Sequence, residues 1–494
     1  MKKRETMFYS ALLLTGANLL LRVSSLGFQV YLSGRIGASG IGLLQLALSV
    51  STLAMTAGMG GIRTATMYLT AARIGRNRGG TGRVLSCCMG YSLLCSLSMA
   101  ALVWLLGPWL AETWIGDTRT LPAVRIFGVF LPVVCMVGVL TGYFTAAGRV
   151  RELVAVEIAE QVVSMGATVL LLQRFPGADA GKSCAIVVLG SSTGSLVTLG
   201  ALLFLKGKLR GDRSREPVIP DLLKTAVPLA LADDLRMGIS TAENLIVPRR
   251  LRLFAGTSNA LADYGQVCGM VFPVLMFPAC ILYSLAELLI PELSRCAAGG
   301  RLRRVRYLTN RSLRVALLYG LAAGGVLFTA AEPLGILLYG DIHVGRLLKT
   351  FSVLVPMLYA DAVVDATVKG MGQQVACVRY NTLTSFLDVV FLWVLLPVLG
   401  LKGYYLSFAA THLLNFILSV RRLRKVTGFE ADPWALVKTV LCAVTCCLFL
   451  SRLPLPGVLL PACGYLAAFF LLTTLTGCTG REDLRWLRGL ARGA

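Results

Sequence analysis

Charge is scarce in this chain. Only 15 % of its 494 residues are Asp, Glu, Lys or Arg, against about a quarter in a soluble domain. Histidine is scarcer still, with His343 and His412 alone. HExxH and paired Cys-x-x-Cys strings are absent, which removes the common zinc-metallohydrolase and redox signatures. Long polar stretches are missing too. None between apolar runs exceeds about 30 residues, so there is no room for a large soluble catalytic domain. No A-x-A site follows the basic, apolar N-terminus, and the apolar pattern runs on to Leu32. That stretch reads as an uncleaved first span. The 14 cysteines lie scattered in apolar runs such as Cys87-Cys88 and Cys446-Cys447, without zinc-ligand spacing to histidine. They read as small buried hydrophobes, with no disulfides or metal site expected.

Apolar residues, by contrast, make up 56 % of the chain, and mean hydropathy is +0.73. A bilayer-spanning helix needs about 20 apolar residues, so fourteen need about 280. The chain offers 56 % of 494, about 277. The pattern predicts an all-α polytopic membrane protein with about 14 transmembrane helices. They fall at 7–32, 40–60, 84–106, 121–143, 152–173, 183–205, 221–248, 264–291, 307–330, 350–369, 376–397, 402–420, 434–452 and 455–477. The net charge of +23 would suggest nucleic acid in a soluble protein. Here it reads as topology, because Lys and Arg resist translocation. With the N-terminus inside, cytoplasmic segments carry 30 Lys and Arg and outer ones 9. This puts both termini in the cytoplasm and calls for no nucleic-acid partner.

Segments 125–148 and 349–372 share Phe127/Phe351, Val129/Val353, Pro132/Pro356, Val139/Val363 and Gly148/Gly372 at a constant offset of 224. This pairs the fourth span with the tenth. The chain then divides into two six-helix lobes, 1–206 and 221–425, joined by a basic linker at 207–220. Two C-terminal helices follow at 426–480, and a basic amphipathic tail at 481–494. An even number of spans per lobe predicts a parallel pseudo-two-fold repeat about an axis along the membrane normal, with a ligand site near mid-membrane.

Ionisable residues inside spans are costly and usually face protein or a water-filled cavity. Asn18, Arg22, Ser25 and Gln29 form one face of the first span. It suits either an anionic headgroup or an arginine paired with an interior carboxylate. Asp233, Asp234, Arg236, Ser240 and Glu243 lie on the seventh span, where Asp233 and Arg236 can pair. Glu287 lies on the eighth, Asp361, Asp365 and Lys369 on the tenth, and Asn381, Ser385 and Asp388 on the eleventh. This acidic interior suits a proton or Na+ site, or structural ion pairing between helices. GADAGKS at 177–183 is one residue short of a P-loop, and GASGIG at 37–42 reads as a tight turn with close helix packing. The basic stretch at 61–83 reads as a solvated topology signal or a headgroup contact.

Three strings carry a resemblance. FQVYLSGRIGASGIGLLQLALSV (28–50), NLIVPRRLRLFAG (244–256) continued by YGQVCGMVFPVLMFPACILYSLAELLIPELSR (264–295), and the KGMGQQ…N run from Lys369 to Asn381 resemble the stage V sporulation protein B group. That group sits in the multidrug/oligosaccharidyl-lipid/polysaccharide (MOP) exporter superfamily, with MurJ-like lipid II flippases and O-antigen flippases. The similarity runs over nearly the whole chain. It implies flipping of an undecaprenyl-diphosphate-linked saccharide or peptidoglycan precursor by alternating access in a bacterial cytoplasmic membrane, with no enzymatic step. It also implies arginines in a central cavity. Arg22 best matches that role, and Arg35 and Arg63, at the ends of the first hairpin, match it less closely. Arg249 and Arg250, inside a family string, suit either an anionic exit surface or a structural role. The acidic second lobe departs from the cationic pattern. It leaves coupling open between the two kinds of relative, with H+ or Na+ as the ion and no other cofactor. Membrane lipids are expected partners, and the chain is read as a monomer. The alternative reading is a cation-coupled multidrug (MATE-type) antiporter. A membrane glycosyltransferase or polymerase, and a non-transporting scaffold, stand further off.

Overall fold

The computed structural model describes residues 2–75, 80–177, 179–207, 218–429, 432–453 and 455–478, with the side chains of the first helix described continuously from Leu19. The tail at 481–494 and most of the 207–220 linker lie outside the described residues. So does Asn18 as a side chain. The described chain is helical throughout. The helices are α1 (Lys2–Met59), α2 (Ile62–Gly75), α3 (Thr81–Trp109), α4 (Leu121–Ala146), α5 (Val150–Arg174), α6 (Ala180–Gly207), α7 (Ile219–Leu251), α8 (Ala260–Tyr264) and α9 (Phe272–Met276). There follow α10 (Ala279–Ala298), α11 (Leu302–Thr329), α12 (Ala331–Tyr339), α13 (Ile342–Ser352), α14 (Val355–Gly370), α15 (Gln374–Leu399), α16 (Leu401–Thr427), α17 (Pro433–Leu450) and α18 (Leu459–Leu475). Wider π-helical turns occupy Leu110–Ile115 and Gly265–Val271.

Helices cover each of the expected apolar stretches. Among the described residues, eight stretches are long and apolar enough to cross a bilayer unaided, and two more do so as bent pairs. One pair, Ala260–Met276 and Ala279–Ala298, bends by 61°; the other, Ile342–Ser352 and Val355–Gly370, bends by 52°. The long first helix is broken at Gly37, whose φ of 71° and ψ of 173° no L side chain adopts comfortably. Thus the first two spans are two legs of one element. The GASGIG string behaves as its composition suggests. A Cβ at Gly42 would stand 2.2 Å from the Leu261 carbonyl oxygen, so backbone meets backbone there. Close approach through glycine is a principal source of helix adhesion in lipid, where burial of apolar surface gives little.

The chain forms two compact units. One comprises 1–28 and 35–265, the other 29–34 and 266–494. The first therefore includes α7, beyond the 207–220 linker at which the sequence reading divides the lobes. α7 docks where Gly61 admits the Ala226 carbonyl, and its Leu222 and Ala226, with Val218 just before it, join a buried cluster with Val84, Leu140 and Phe144. In the second unit, α17 and α18 pack on α11. Tyr465 is fully buried there and donates to the Leu321 carbonyl at 3.0 Å, its ring lying over Gly325.

The 224-residue repeat is visible in the packing. α4 lies against α2, α3 and α6, while α14 lies against α10, α11 and α16; α5 pairs with α6 as α15 does with α16. Gly148 and Gly372 both end their helices in the left-handed region, at φ 72° and 75°.

Candidate functional site

The densest polar constellation belongs to the second unit, between α14, α15 and α16. Asp361 and Asp365 sit one turn apart on α14. Asp365 is closed by Lys369 of the next turn, with Nζ to Oδ2 at 2.6 Å. Asp361 Oδ2 accepts from Asn415 Nδ2 at 3.1 Å, while its Oδ1 is buried without a hydrogen-bond partner. Asp388 of α15 accepts through Oδ1 from Ser407 Oγ at 2.6 Å and Thr411 Oγ1 at 3.2 Å. His412 faces Phe408, with Nδ1 2.9 Å from the Phe408 carbonyl oxygen.

The donors share one stripe of α16. Gly403, Ser407, Thr411, Asn415 and Ser419 recur every fourth residue and are all buried, a single helix face. Thr411 and Asn415, adjacent on that stripe, serve Asp388 and Asp361 respectively. Thus two of the carboxylates expected together are joined through a third helix. The neutral residues singled out in the sequence, among them Asn381 and Ser385, did not include these donors. The period-four run of small polar residues at 403–419 was the available signal for the donors. Carboxylates met by neutral hydroxyl and amide donors can exchange a proton or accept a small cation without losing their partners. Among the described residues, no group of three or more His, Cys, Asp or Glu could hold a metal ion.

The first unit disposes its charges differently. Arg22, Arg35, Arg63, Asp233 and Arg236 are exposed. The face of α1 that carries Arg22 meets α5, where Gln161 Nε2 donates to Ser25 Oγ and to the Leu21 carbonyl, each at 2.9 Å. The charge of Arg63 reaches Glu157 of α5. No ion pair joins Asp233 to Arg236 among the described residues, so the expected pairing along α7 is not made. Asp234 is half-buried beside Asp233, and its Oδ1 has no hydrogen-bond partner. Glu243 and Arg250 are half-buried. Arg249 donates to the carbonyl oxygens of Thr113 and Trp114 in the π-helical turn after α3. It thereby ties the end of α7 to that turn, a contact the sequence did not reveal. Below it, Asp117 caps the turn leading into α4 and pairs with Arg119 at 2.7 Å. Burial would raise the Asp117 carboxyl, but hydrogen bonds and charge from Arg119, with Arg252 nearby, hold it below the usual carboxylate range.

Two further candidates fall in the second unit. Gln29 donates to the Gly269 carbonyl at 2.8 Å, so it satisfies backbone. Glu287 on α10 is exposed.

No protein-family model matches the chain. Stage V sporulation protein B of Bacillus subtilis (strain 168) is 23 % identical over 438 residues, covering 86 % of this chain and 84 % of that protein. The chain is a homologue of that protein. Sporulation protein YkvU of the same organism is 24 % identical over 213 residues, 41 % of this chain and 48 % of its own. Among solved structures, the lipid II flippase MurJ in an inward closed conformation superposes with a TM-score of 0.73 at 12 % identity, over 94 % of this chain and 98 % of that one. An inward-facing multidrug resistance MATE family transporter of the MOP superfamily gives 0.68 at 13 % identity, over 83 % and 96 %. This is the fold of the MOP-superfamily transporters. With its apolar helices it makes the chain a multi-pass membrane protein.

Proposed function

We propose that the protein moves an undecaprenyl-diphosphate-linked saccharide or peptidoglycan precursor from the inner to the outer leaflet of a bacterial cytoplasmic membrane. The observation that carries this reading is the likeness to the MurJ fold over nearly the full length of both chains, joined to an arginine-bearing face on α1. A polyprenyl diphosphate has a tail that stays in lipid and a head that does not. Carrying two desolvated phosphates through hydrocarbon is penalised heavily. Guanidinium groups replace the lost hydration with charge-assisted, bidentate hydrogen bonds. Arg22, supported by Arg35 and Arg63, is assigned that role. No bond of the cargo is made or broken, both termini are cytoplasmic, and a single chain suffices.

Asp361 and Asp388 are assigned to coupling. Uptake of H+ or Na+ there would reset the transporter after the cargo leaves. The experiment for the cargo is native mass spectrometry of gently extracted protein. A co-purifying polyprenyl-diphosphate lipid, lost in Arg22→Ala, supports the reading, and its absence from active protein sinks it. Coupling is tested in vesicles. Transport indifferent to both pH and Na+ gradients removes the carboxylates from that role.

The acidic cluster and the MATE likeness favour one second reading, a cation-coupled antiporter of cationic compounds. Drug susceptibility of a deletion strain separates the two, because only the antiporter predicts sensitisation.

A further inference from the structure

The 61° bend between α9 and α10 has more than one cause. Proline provides the first, because Pro273 and Pro278 have no N–H to offer the carbonyls of Gly269 and Val274 four residues earlier. Gly269 accepts from Gln29 instead, and Val274 from the Phe277 N–H at 3.4 Å. Proline does not explain the next rung. The Leu275 carbonyl and the Ala279 N–H are both intact and four residues apart, yet they do not bond each other. The hydroxyl of Tyr359, from α14, stands between them. It donates to Leu275 O at 2.7 Å, beside the Ala279 N–H. A side chain inserted in the backbone ladder is a recognised origin of sharp kinks.

Two more tyrosines hold the surroundings. Tyr319 of α11 donates to Pro278 O at 2.8 Å and stacks on Tyr359, with centroids 6.1 Å apart and planes 22° from parallel. Tyr339 of α12 donates to Met270 O at 3.0 Å. The carbonyls of Gly269, Met270, Leu275 and Pro278 are each met by a side chain from another helix and that of Val274 by the Phe277 N–H, as a non-helical stretch at membrane depth requires.

We propose that Tyr359 is the withdrawable pin of a two-state hinge in this span. With the hydroxyl inserted, the span is bent. With it withdrawn, Leu275 O and Ala279 N–H close directly, and the span relaxes to the smaller kink that Pro278 alone imposes. Tyr319 and Tyr339 are positioning residues for the bent state. The inference is independent of what the protein carries, since the groups involved are backbone and three phenols.

Hydrogen-exchange mass spectrometry on the full chain in lipid nanodiscs tests it. In Tyr359→Phe the direct bond forms, and amides 277–281 exchange more slowly, by about tenfold, the scale of one hydrogen bond. Tyr319→Phe weakens the bent state and slows the same amides less, which keeps the test open if Tyr359→Phe does not accumulate. Tyr465→Phe is the control, because Tyr465 also donates to a helix carbonyl, Leu321 O, but away from any break; it leaves 277–281 unchanged. Unchanged or faster exchange at 277–281 in Tyr359→Phe, or in Tyr319→Phe should only that variant accumulate, overturns the hinge. It would mean that the hydroxyls fill a fixed bend.

Discussion

The two units handle charge inside helices in opposite ways. In the second, each carboxylate of α14 and α15 is met by a partner from within the unit: Lys369 for Asp365, Asn415 for Asp361, Ser407 and Thr411 for Asp388. In the first, Arg22, Arg35 and Arg63 of α1 and α2, and Asp233 and Arg236 of α7, are exposed. A carboxylate held by neutral donors is poised to gain or lose one small ion. The contrast teaches that one chain can close its span carboxylates with partners in one unit and leave span arginines exposed in the other.

The largest expected effect breaks the first half of that contrast. Arg22→Ala should abolish complementation of a deletion strain at unchanged membrane abundance, with Arg22→Lys restoring only part, because a point charge cannot grip phosphate bidentately. Wild-type growth of the alanine variant would strip the exposed cations of their role.

Next comes Asp388→Leu. Its hydroxyl partners lose their acceptor, and thermal unfolding in detergent should report a loss of about 2 kcal/mol. Asp388→Asn should lose less, since an amide oxygen still accepts. Equal stability of all three proteins would show that the cluster holds nothing together. Thr411→Val, nearly isosteric, removes one of the two donors and should cost about 1 kcal/mol by the same assay. It should leave the Asp361–Asn415 contact in place.

The smallest effect concerns the ion pair at the end of the first unit. Asp117→Asn should lower stability at pH 7 by about 0.5 kcal/mol, since the Arg119 end of the pair is half in water. Folding depresses the carboxyl below its free value. Its contribution is therefore present above a free pKa of about 3.9 and is lost as pH falls through the lower folded value. Wild type and variant should converge there, and a gap that does not narrow as pH falls would contradict the assignment.

Much of this molecule was legible in its residues because lipid is a strict solvent. Hydropathy runs located the long helices but not α2, α12 or most of α13, and GASGIG was read correctly as close packing. Glycines at 148 and 372 ended the repeated spans in matching backbone geometry. The site was half legible. Asp361, Asp365 and Asp388 were picked out because ionised groups are rare in spans. Ser407, Thr411 and Asn415 passed unnoticed because small neutral residues are common there. Asp233 and Arg236, spaced for pairing, do not pair. Arg249, weighed as an exit contact, donates to carbonyls 135 and 136 positions away in the chain.

Sequence alone determined the membrane-spanning helical architecture, the repeat and the placement of charge along the spans, because backbone satisfaction in hydrocarbon leaves helices few alternatives. Tertiary structure alone decided which polar groups meet, that α7 packs with the first unit, and that a tyrosine 84 residues distant enters the break before α10. Those outcomes depend on how helices far apart in the chain come to lie side by side, and the spacing of residues along any one helix carries no record of its neighbour.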